Sequence, residues 1–180
     1  MKIRIALLGL IALFAAPLAA RAQEFQAFNP GDWELTLAGS GSNSSDFDGT
    51  TVGINGSLGY FFTENFEFAV RQSLGYTDLA GANGSAWNGS TRLAVDFHFD
   101  LERFQPFVGA NIGYVYGDLT NDTFIAGPEV GLKYFVNDTT FVFVMAEYQF
   151  FFDSGDNVGD IGDNAQDGQF VYTLGLGFKW

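Results

Sequence analysis

The sequence predicts an all-β protein, an eight-stranded antiparallel up-and-down transmembrane β-barrel. Three observations predict it: eight segments alternate apolar with small or polar residues, the apolar face carries the bulky side chains, and the connections alternate between short and long. A period of two indicates strands, because successive side chains of a strand point to opposite faces. A bulky apolar face opposite a small or charged face is typical of a barrel with lipid outside and a polar lumen inside.

The chain opens with a predicted signal peptide, residues 1–22. Lys2 and Arg4 precede an apolar stretch that runs from Ile5 to Ala20, and Ala20-Arg21-Ala22 has the small-x-small pattern of a signal-peptidase site. A transmembrane anchor is the alternative, but the stretch is shorter than the roughly 20 residues that span a bilayer. We expect cleavage after Ala22, with residues 23–180 forming the barrel domain.

The eight alternating segments follow in order, each with a bulky set expected to face lipid. In the first four, this set is Trp33, Leu35 and Leu37; Val52, Ile54, Leu58 and Tyr60; Phe66, Phe68, Val70, Leu74 and Tyr76; and Leu93, Val95, Phe97, Phe99 and Leu101. In the last four, it is Val108, Ala110, Ile112, Tyr114 and Tyr116; Val130, Leu132 and Tyr134; Val142, Val144, Ala146, Tyr148 and Phe150; and Phe170, Tyr172, Leu174, Leu176, Phe178 and Trp180. The segment lengths suit strands, since a tilted strand crosses a bilayer in about 9 to 11 residues. The sheet must close, because an open edge in lipid would leave backbone groups unpaired.

One residue departs from the strand pattern. Pro128 lies within the sixth segment and has no backbone N–H to donate to a ladder. We therefore expect a bulge or a late strand start there.

A soluble β-sandwich would also alternate, but it hides its large apolar residues and shows polar ones to water. Aromatic residues also gather at the segment ends here, as in the interfacial girdles of membrane barrels. The connections set the orientation: residues 63–65, 102–104 and 136–139 are tight turns, whereas residues 42–50, 77–86, 118–123 and 153–167 are longer. Short turns belong to the periplasm, so both termini are expected there.

Composition excludes several functions. Lys and Arg total 8 against 21 Asp and Glu, a net charge of −13. A nucleic-acid partner is not expected, because a phosphate-binding surface needs clustered Lys and Arg. With no Cys and a single His, the chain lacks disulfides, thiolate ligands and a multi-histidine metal site. No cofactor is expected.

Three stretches resemble the small eight-stranded outer-membrane β-barrels of Gram-negative bacteria, the OmpA-like and OmpX-like proteins. They are residues 105–114, residues 127–135 and the C-terminal pattern Thr173-x-Gly175-x-x-Phe178-x-Trp180. The resemblance implies that Thr173, Gly175, Phe178 and Trp180 form the assembly signal read by the barrel-insertion machinery. It also implies a monomer in the outer membrane, in contact with lipid and lipopolysaccharide.

Ten ionisable residues are expected on the inward face. Five are expected near mid-depth: Arg71, Arg92, Asp96, Glu129 and Glu147. Five are expected toward the periplasmic end: Glu34, Glu67, Asp100, Lys133 and Lys179. They could line a cation pathway or form a salt-bridge network that fills the lumen. The network is favoured, because an eight-stranded barrel is just wide enough for side chains to fill.

Two further features could carry chemistry. Small barrels that cleave lipids use His-x-Ser with serine as the nucleophile, but His98-Phe99-Asp100 has no serine two residues away. We therefore expect a hydrogen-bonded lumen histidine and no enzymatic activity. The acidic loop Asp153 to Asp167 could hold Ca²⁺, but its spacing fits no EF-hand, which favours a solvated loop.

Two functions stay open on sequence alone. The first is a structural or surface-interaction role with acidic extracellular loops and a lumen plugged by charged side chains. The second is a small transport barrel that resembles the OmpW-like proteins and passes small or hydrophobic solutes.

Overall fold

A computed structural model describes residues 25–44, 50–78, 85–117, 122–152 and 168–180. The signal peptide with its cleavage site at Ala20 and Ala22, and the acidic loop Asp153 to Asp167, lie outside these ranges. Eight strands form: β1 (Trp33–Ser44), β2 (Thr50–Phe61), β3 (Phe66–Asp78), β4 (Ser85–His98), β5 (Phe104–Gly117), β6 (Thr123–Phe135), β7 (Thr140–Phe152) and β8 (Gln169–Lys179). Within the described ranges, no helix is long and apolar enough to cross a membrane.

The sheet closes on itself. Each strand pairs antiparallel with the next, and β8 pairs with β1. At the seam, the backbone N–H groups of Trp33 and Trp180 each donate to the other's carbonyl oxygen, at 3.0 and 3.1 Å. Closure gives every strand two neighbours, so no described strand presents an open edge to lipid. The predicted eight-stranded antiparallel barrel is confirmed.

The alternation of the sequence sets which face of each strand is buried. Outward positions carry bulky apolar side chains that remain exposed on the isolated chain, such as Ile54, Ile112 and Leu174. Inward positions carry charged, amide or small residues that are buried, such as Glu34 and Arg92. Aromatic rings pair near the strand ends, with Trp33 5.0 Å from Tyr60 between ring centroids. The lumen is therefore the polar side of the sheet, as the sequence predicts.

The expectation of a bulge or a late start at Pro128 is wrong. β6 begins upstream, at Thr123, and Pro128 pairs with Ala110 of β5. On the β7 side, Ala126 pairs with Phe150 and Glu129 with Glu147, so the register is the same before and after the proline. A backbone N–H in a sheet points toward one neighbour only, and the missing donor therefore interrupts one ladder without shifting it.

The short turns and the described ends of the chain lie at one end of the barrel. The turns are residues 62–65, 99–103 and 136–139, at the same end as the start of β1 and the end of β8. Residues 25–32, which we call the N-terminal strap, fold against this end. The N–H of Gly31 donates to the carbonyl of Phe61 at 2.8 Å, and the N–H of Phe61 donates to the carbonyl of Asp32 at 2.9 Å. The strap thus continues from β1 into the mouth of the lumen.

Candidate functional site: the barrel lumen

The lumen nearest the short turns holds a cluster around Lys133. Its ammonium lies 2.6 Å from Oε2 of Glu34 and 2.9 Å from Oε2 of Glu67. The three residues come from β6, β1 and β3, so the cluster joins distant walls of the barrel. All three side chains are buried. One cation therefore serves two carboxylates.

A second cluster lies around Arg71. Its guanidinium contacts Oδ2 of Asp96 at 2.6 Å and Oε1 of Glu129 at 2.5 Å. Nδ2 of Asn111 donates to Oε2 of Glu129 at 2.6 Å. Again one buried cation serves two carboxylates, and hydrogen bonds with an ionised partner are among the stronger ones in proteins.

A third cluster lies closer to the loops. Arg92 pairs with Glu147 through Nη1, and its Nη2 donates to Oγ of Ser73 at 2.7 Å. Nε2 of Gln149 donates to Oε1 of Glu147 at 2.7 Å, and Nε2 of Gln169 donates to Oε1 of Gln149 at 2.8 Å. The chain of amides carries the network from the ion pair toward the loop end.

These clusters bring together eight of the ten residues that the sequence places in the lumen. They are Glu34, Glu67, Arg71, Arg92, Asp96, Glu129, Lys133 and Glu147. Paired, the groups stabilise one another, whereas a single buried charge without a partner would be costly.

Asp100 is the prediction that fails. The residue is exposed and lies beyond β4, which ends at His98. Its Oδ1 accepts hydrogen bonds from the N–H of Glu102 at 3.2 Å and from Nε2 of Gln105 at 2.7 Å. Because the chain turns after His98, the alternation of the strand no longer fixes the direction of Asp100. Near this turn, the side chain of Gln105 at the start of β5 is buried, whereas that of Asp100 is not.

Lys179 lies at the rim and outside the three clusters. Its Nζ is 3.4 Å from Oδ2 of Asp32 and donates to the carbonyl of Gln26 at 3.4 Å. Both partners belong to the N-terminal strap. Lys179 therefore anchors the strap to β8 and takes no part in the pairing across the lumen.

Below Lys133, five phenylalanines form what we call the aromatic floor, and sequence reasoning missed it. The floor consists of Phe28, Phe61, Phe107, Phe135 and Phe141, which are 0–2% exposed. The Lys133 ammonium lies 5.1 to 5.6 Å from four of the ring centroids, a distance at which a cation interacts with an aromatic face. The alternation indicates the four strand residues among them. Each is next to an outward-facing residue of its own strand and is therefore expected to face inward. Phe28 lies before the first strand and gave no periodic signal.

Glycines on neighbouring strands make room for two of the floor rings. Phe107 is paired with Gly131, and Phe141 is paired with Gly177. A Cβ on either glycine would overlap the ring of its partner. The rings lie flat over bare backbone, which lets two aromatic side chains fit inside an eight-stranded barrel.

His98 faces the lumen, as expected, but the hydrogen bond expected for it is missing. The side chain is fully buried, and neither ring nitrogen has a hydrogen-bond partner among the described residues. The nearest charged atom is Oε2 of Glu67, 3.5 Å from Nε2. Phe28, Phe61 and Phe107 surround the ring with centroids 5.2 to 5.4 Å away. No hydroxyl nucleophile accompanies it in these contacts.

Two cavities lie among the clusters, on the loop side of the floor. The lower leaves about 30 Å³ open to the centre of a water molecule, and its lining includes Glu34, Lys133 and Thr173. The upper leaves about 90 Å³ and is lined mainly by Ser, Asn, Gln and Gly. Asn55 and Arg92 line both cavities. One water needs a volume of about 10–15 Å³ of this kind, so both cavities are large enough for water.

The described part of the chain contains no group of three or more His, Asp or Glu residues arranged to hold a metal ion. The carboxylates of the lumen are engaged with Lys and Arg. The acidic loop, where the sequence raises a Ca²⁺ site, lies outside the described residues.

The comparisons with known proteins agree with this geometry. The family model of the outer membrane protein beta-barrel domain matches residues 5–180. The fold resembles OprG of Pseudomonas aeruginosa (TM-score 0.63, 13% identity, covering 87% of this chain and 99% of that one). It also resembles the N-terminal β-barrel domain of OprF from the same organism (0.58, 20%, 85% and 100%) and Ail of Yersinia pestis (0.53, 12%, 84% and 99%). No curated protein matches the sequence significantly. The chain belongs to the outer membrane protein beta-barrel domain family, and its location is the Gram-negative outer membrane.

Proposed function

We propose that this protein is a closed outer-membrane barrel with a structural or surface-interaction role, whose lumen is plugged by side chains. The observation that carries the proposal is the set of three buried ion-pair clusters that join opposite walls. An open aqueous channel would leave such groups hydrated, whereas here they are buried and paired. The aromatic floor adds a dry layer beneath them.

The second candidate, an OmpW-like transport barrel, finds less support in the lumen. A path for hydrophobic solutes needs an apolar lining, but the buried lining above the floor is dominated by charged and amide side chains. A path for polar solutes larger than water or a small cation would have to break pairs such as Arg71–Glu129 or Arg92–Glu147. Likeness to OprG at 13% identity shows the fold alone.

We also propose that no enzymatic activity resides in the lumen. His98 and the ion pairs lie within a closed barrel, away from the lipid that a lipid-cleaving enzyme must reach. Cleavage after Ala22, insertion by the barrel-assembly machinery through Thr173, Gly175, Phe178 and Trp180, and a monomer in contact with lipid and lipopolysaccharide remain proposals. The outward exposure of Phe178 and Trp180 on the last strand supports an accessible C-terminal signal. Complete strand pairing supports a monomer.

The surface role rests on the charge of the long connections. The segments 42–50, 77–86, 118–123 and 153–167 contain ten acidic residues and no Lys or Arg. The acidic residues are Asp46, Asp48, Asp78, Asp118, Asp122, Asp153, Asp156, Asp160, Asp163 and Asp167. Such a surface attracts cationic partners and repels anionic ones. Ail forms a complex with sucrose octasulfate, a heparin analogue, but the charge of this chain disfavours a sulfated ligand.

Binding to model polyions tests this surface. The refolded protein in neutral-lipid nanodiscs is expected to bind immobilised polylysine at low salt. This binding should weaken as added salt screens the charges, and no binding to immobilised heparin is expected. A matched variant, with the five aspartates from Asp153 to Asp167 changed to asparagine, keeps side-chain size and should bind polylysine more weakly. Retention on heparin, or equal polylysine binding by both proteins, would contradict the proposed surface.

A further inference from the structure

We propose that the N-terminal strap is a stopper for a hydrated lumen, and that release of Phe28 opens the barrel to water and small cations. This inference rests on the proposed function, because it assumes that the unmodified barrel is closed. It adds two points to that function: the segment that closes the lumen, which is the strap, and the class of solute that would pass through the lumen without it.

Phe28 fills a pocket in the mouth of the barrel. Its ring stacks on Phe61 with centroids 3.8 Å apart and planes at 11°. His98, Phe135 and Phe141 meet it edge-on at 5.4, 5.3 and 6.3 Å between centroids. The ammonium groups of Lys133 and Lys179 lie 5.1 and 5.8 Å from the centre of its ring. Phe28 is the only floor residue contributed by the strap, since the other four belong to strands. Removing it takes one ring out of the floor and leaves every strand pair intact.

Besides Phe28, the strap buries Ala27 in the same hydrophobic cluster, and its other contacts lie at its edges. Gly31 and Asp32 exchange backbone hydrogen bonds with Phe61, while Asp32 and Gln26 contact Lys179 at 3.4 Å. Phe25 packs on Phe135 at 5.3 Å between ring centroids. Residues 25–31 belong to no strand ladder. The strap can therefore leave the mouth without opening the barrel wall.

On the other side of Phe28, the lumen is suited to water. The two cavities share Asn55 and Arg92, and the lower one reaches Lys133 and Glu34, directly above the floor. Three buried atoms of its lining have no hydrogen-bond partner among the described residues: Nδ2 of Asn55, Nε of Arg92 and Oγ1 of Thr173. Buried polar groups of this kind are satisfied by internal water. Two spaces that can hold water thus lie between the loop side and the floor, next to Asn55 and Arg92.

The charges of the lumen favour cations. Among the described residues, the three clusters contain five carboxylates and three cationic side chains. His98 is the other titratable group at the floor. Its Nε2 lies 3.5 Å from Oε2 of Glu67, and its ring centroid lies 5.4 Å from that of Phe28. By formal count these groups carry an excess of two negative charges, and a negatively charged path raises the local concentration of cations.

The test uses untagged, refolded protein in liposomes, with potassium efflux and the reaction of His98 with diethylpyrocarbonate as readouts. His98 is the single histidine of the chain, so its modification reports access to the pocket that Phe28 fills. Phe28→Ala is expected to release potassium faster than chloride and to lose the protection of His98. The control is Phe62→Ala, whose side chain is 61% exposed at the same end of the barrel, and it should match the unmodified protein in both readouts.

The outcomes separate this inference from the proposed function. Potassium efflux from the unmodified protein would overturn the closed barrel itself. A folded Phe28→Ala barrel that retains potassium while His98 reacts would overturn the stopper and leave closure by the ion pairs standing. If Phe28→Ala does not refold, Phe28→Leu keeps an apolar side chain in the pocket and should show partial loss of His98 protection with slow potassium efflux. Full protection and no efflux in that folded variant would also overturn the stopper.

Discussion

Replacing Arg71 and Arg92 together with alanine is expected to lower the free energy of unfolding by more than any exposed substitution of similar size. Arg71 serves Asp96 and Glu129, and Arg92 serves Glu147, so the double variant leaves three buried carboxylates without a cation. Breaking a buried pair costs about 3–5 kcal/mol at most, and less wherever water reaches the remaining charge. Arg92 lines two cavities that are large enough for water, and water would partly hydrate the remaining charge. We therefore expect a loss in the lower part of that range for each broken pair.

Urea titration of the refolded protein in lipid vesicles measures this loss. The control is Arg103→Ala, because Arg103 is 44% exposed on its side chain and pairs with Asp138, 86% exposed, at 3.9 Å. Its other contacts are a hydrogen bond from Nη1 to the carbonyl of Phe135 at 3.3 Å and the Phe25 ring at 4.8 Å. An exposed pair of this kind contributes about 0–1 kcal/mol. Equal losses in the double variant and in Arg103→Ala would show that the lumen pairs do not stabilise the barrel.

Leu174→Arg is expected to be the second large effect, by a different mechanism. Leu174 lies in the middle of β8, opposite Gly39 and Val144, and its side chain is 66% exposed on the outer face. An arginine at the midplane of the bilayer costs about 2–4 kcal/mol, and near the interface about 0–1 kcal/mol. The depth dependence separates a charge in lipid from a general packing defect.

Leu101→Arg provides the matched comparison. Leu101 is 60% exposed and lies in the turn between β4 and β5, at the end of the barrel. The same change of side chain should therefore have a small effect on refolding titrations. Equal destabilisation by the two substitutions would place Leu174 outside the lipid and would contradict the assigned face of β8.

Periodicity in the sequence was sufficient to predict the strands and their faces. A period of two is a local property, so Leu174 outward and Glu147 inward can be read without knowing the partner strands. Which charges meet across the lumen is not local. The contacts Arg71–Glu129, Arg92–Glu147 and Lys133–Glu34 join residues 58, 55 and 99 positions apart. Their heights depend on the stagger of the closed sheet, which no single segment encodes.

Apart from Pro128, which lies in the middle of β6, the differences from the sequence-based expectation lie where strands end. The alternation puts Asp100 in the lumen only if β4 continues two residues past His98, where the chain already turns. Phe61, Phe107, Phe135 and Phe141 follow the alternation on the inward side, but large aromatic rings depart from the small or polar residues that are typical of that face. At these positions, glycine partners such as Gly131 and Gly177 make room for the rings inside the barrel.

Phe28 could not be predicted from a local pattern. It precedes β1 and is part of no alternating segment. Its burial depends on a pocket built from β2, β4, β6 and β7. The strap therefore shows the limit of periodic reasoning, because a segment outside the ladders is positioned by tertiary contacts alone.

The central claim is that the barrel is closed, and planar-bilayer recording of the unmodified, refolded protein tests it most directly. The buried ion pairs and the aromatic floor predict no steady conductance at any applied potential that the bilayer tolerates. The double variant Arg71→Ala/Arg92→Ala is recorded under the same conditions, to show whether the measurement detects a change in the lumen. Stable ohmic steps from the unmodified protein would contradict closure and would favour a transport barrel.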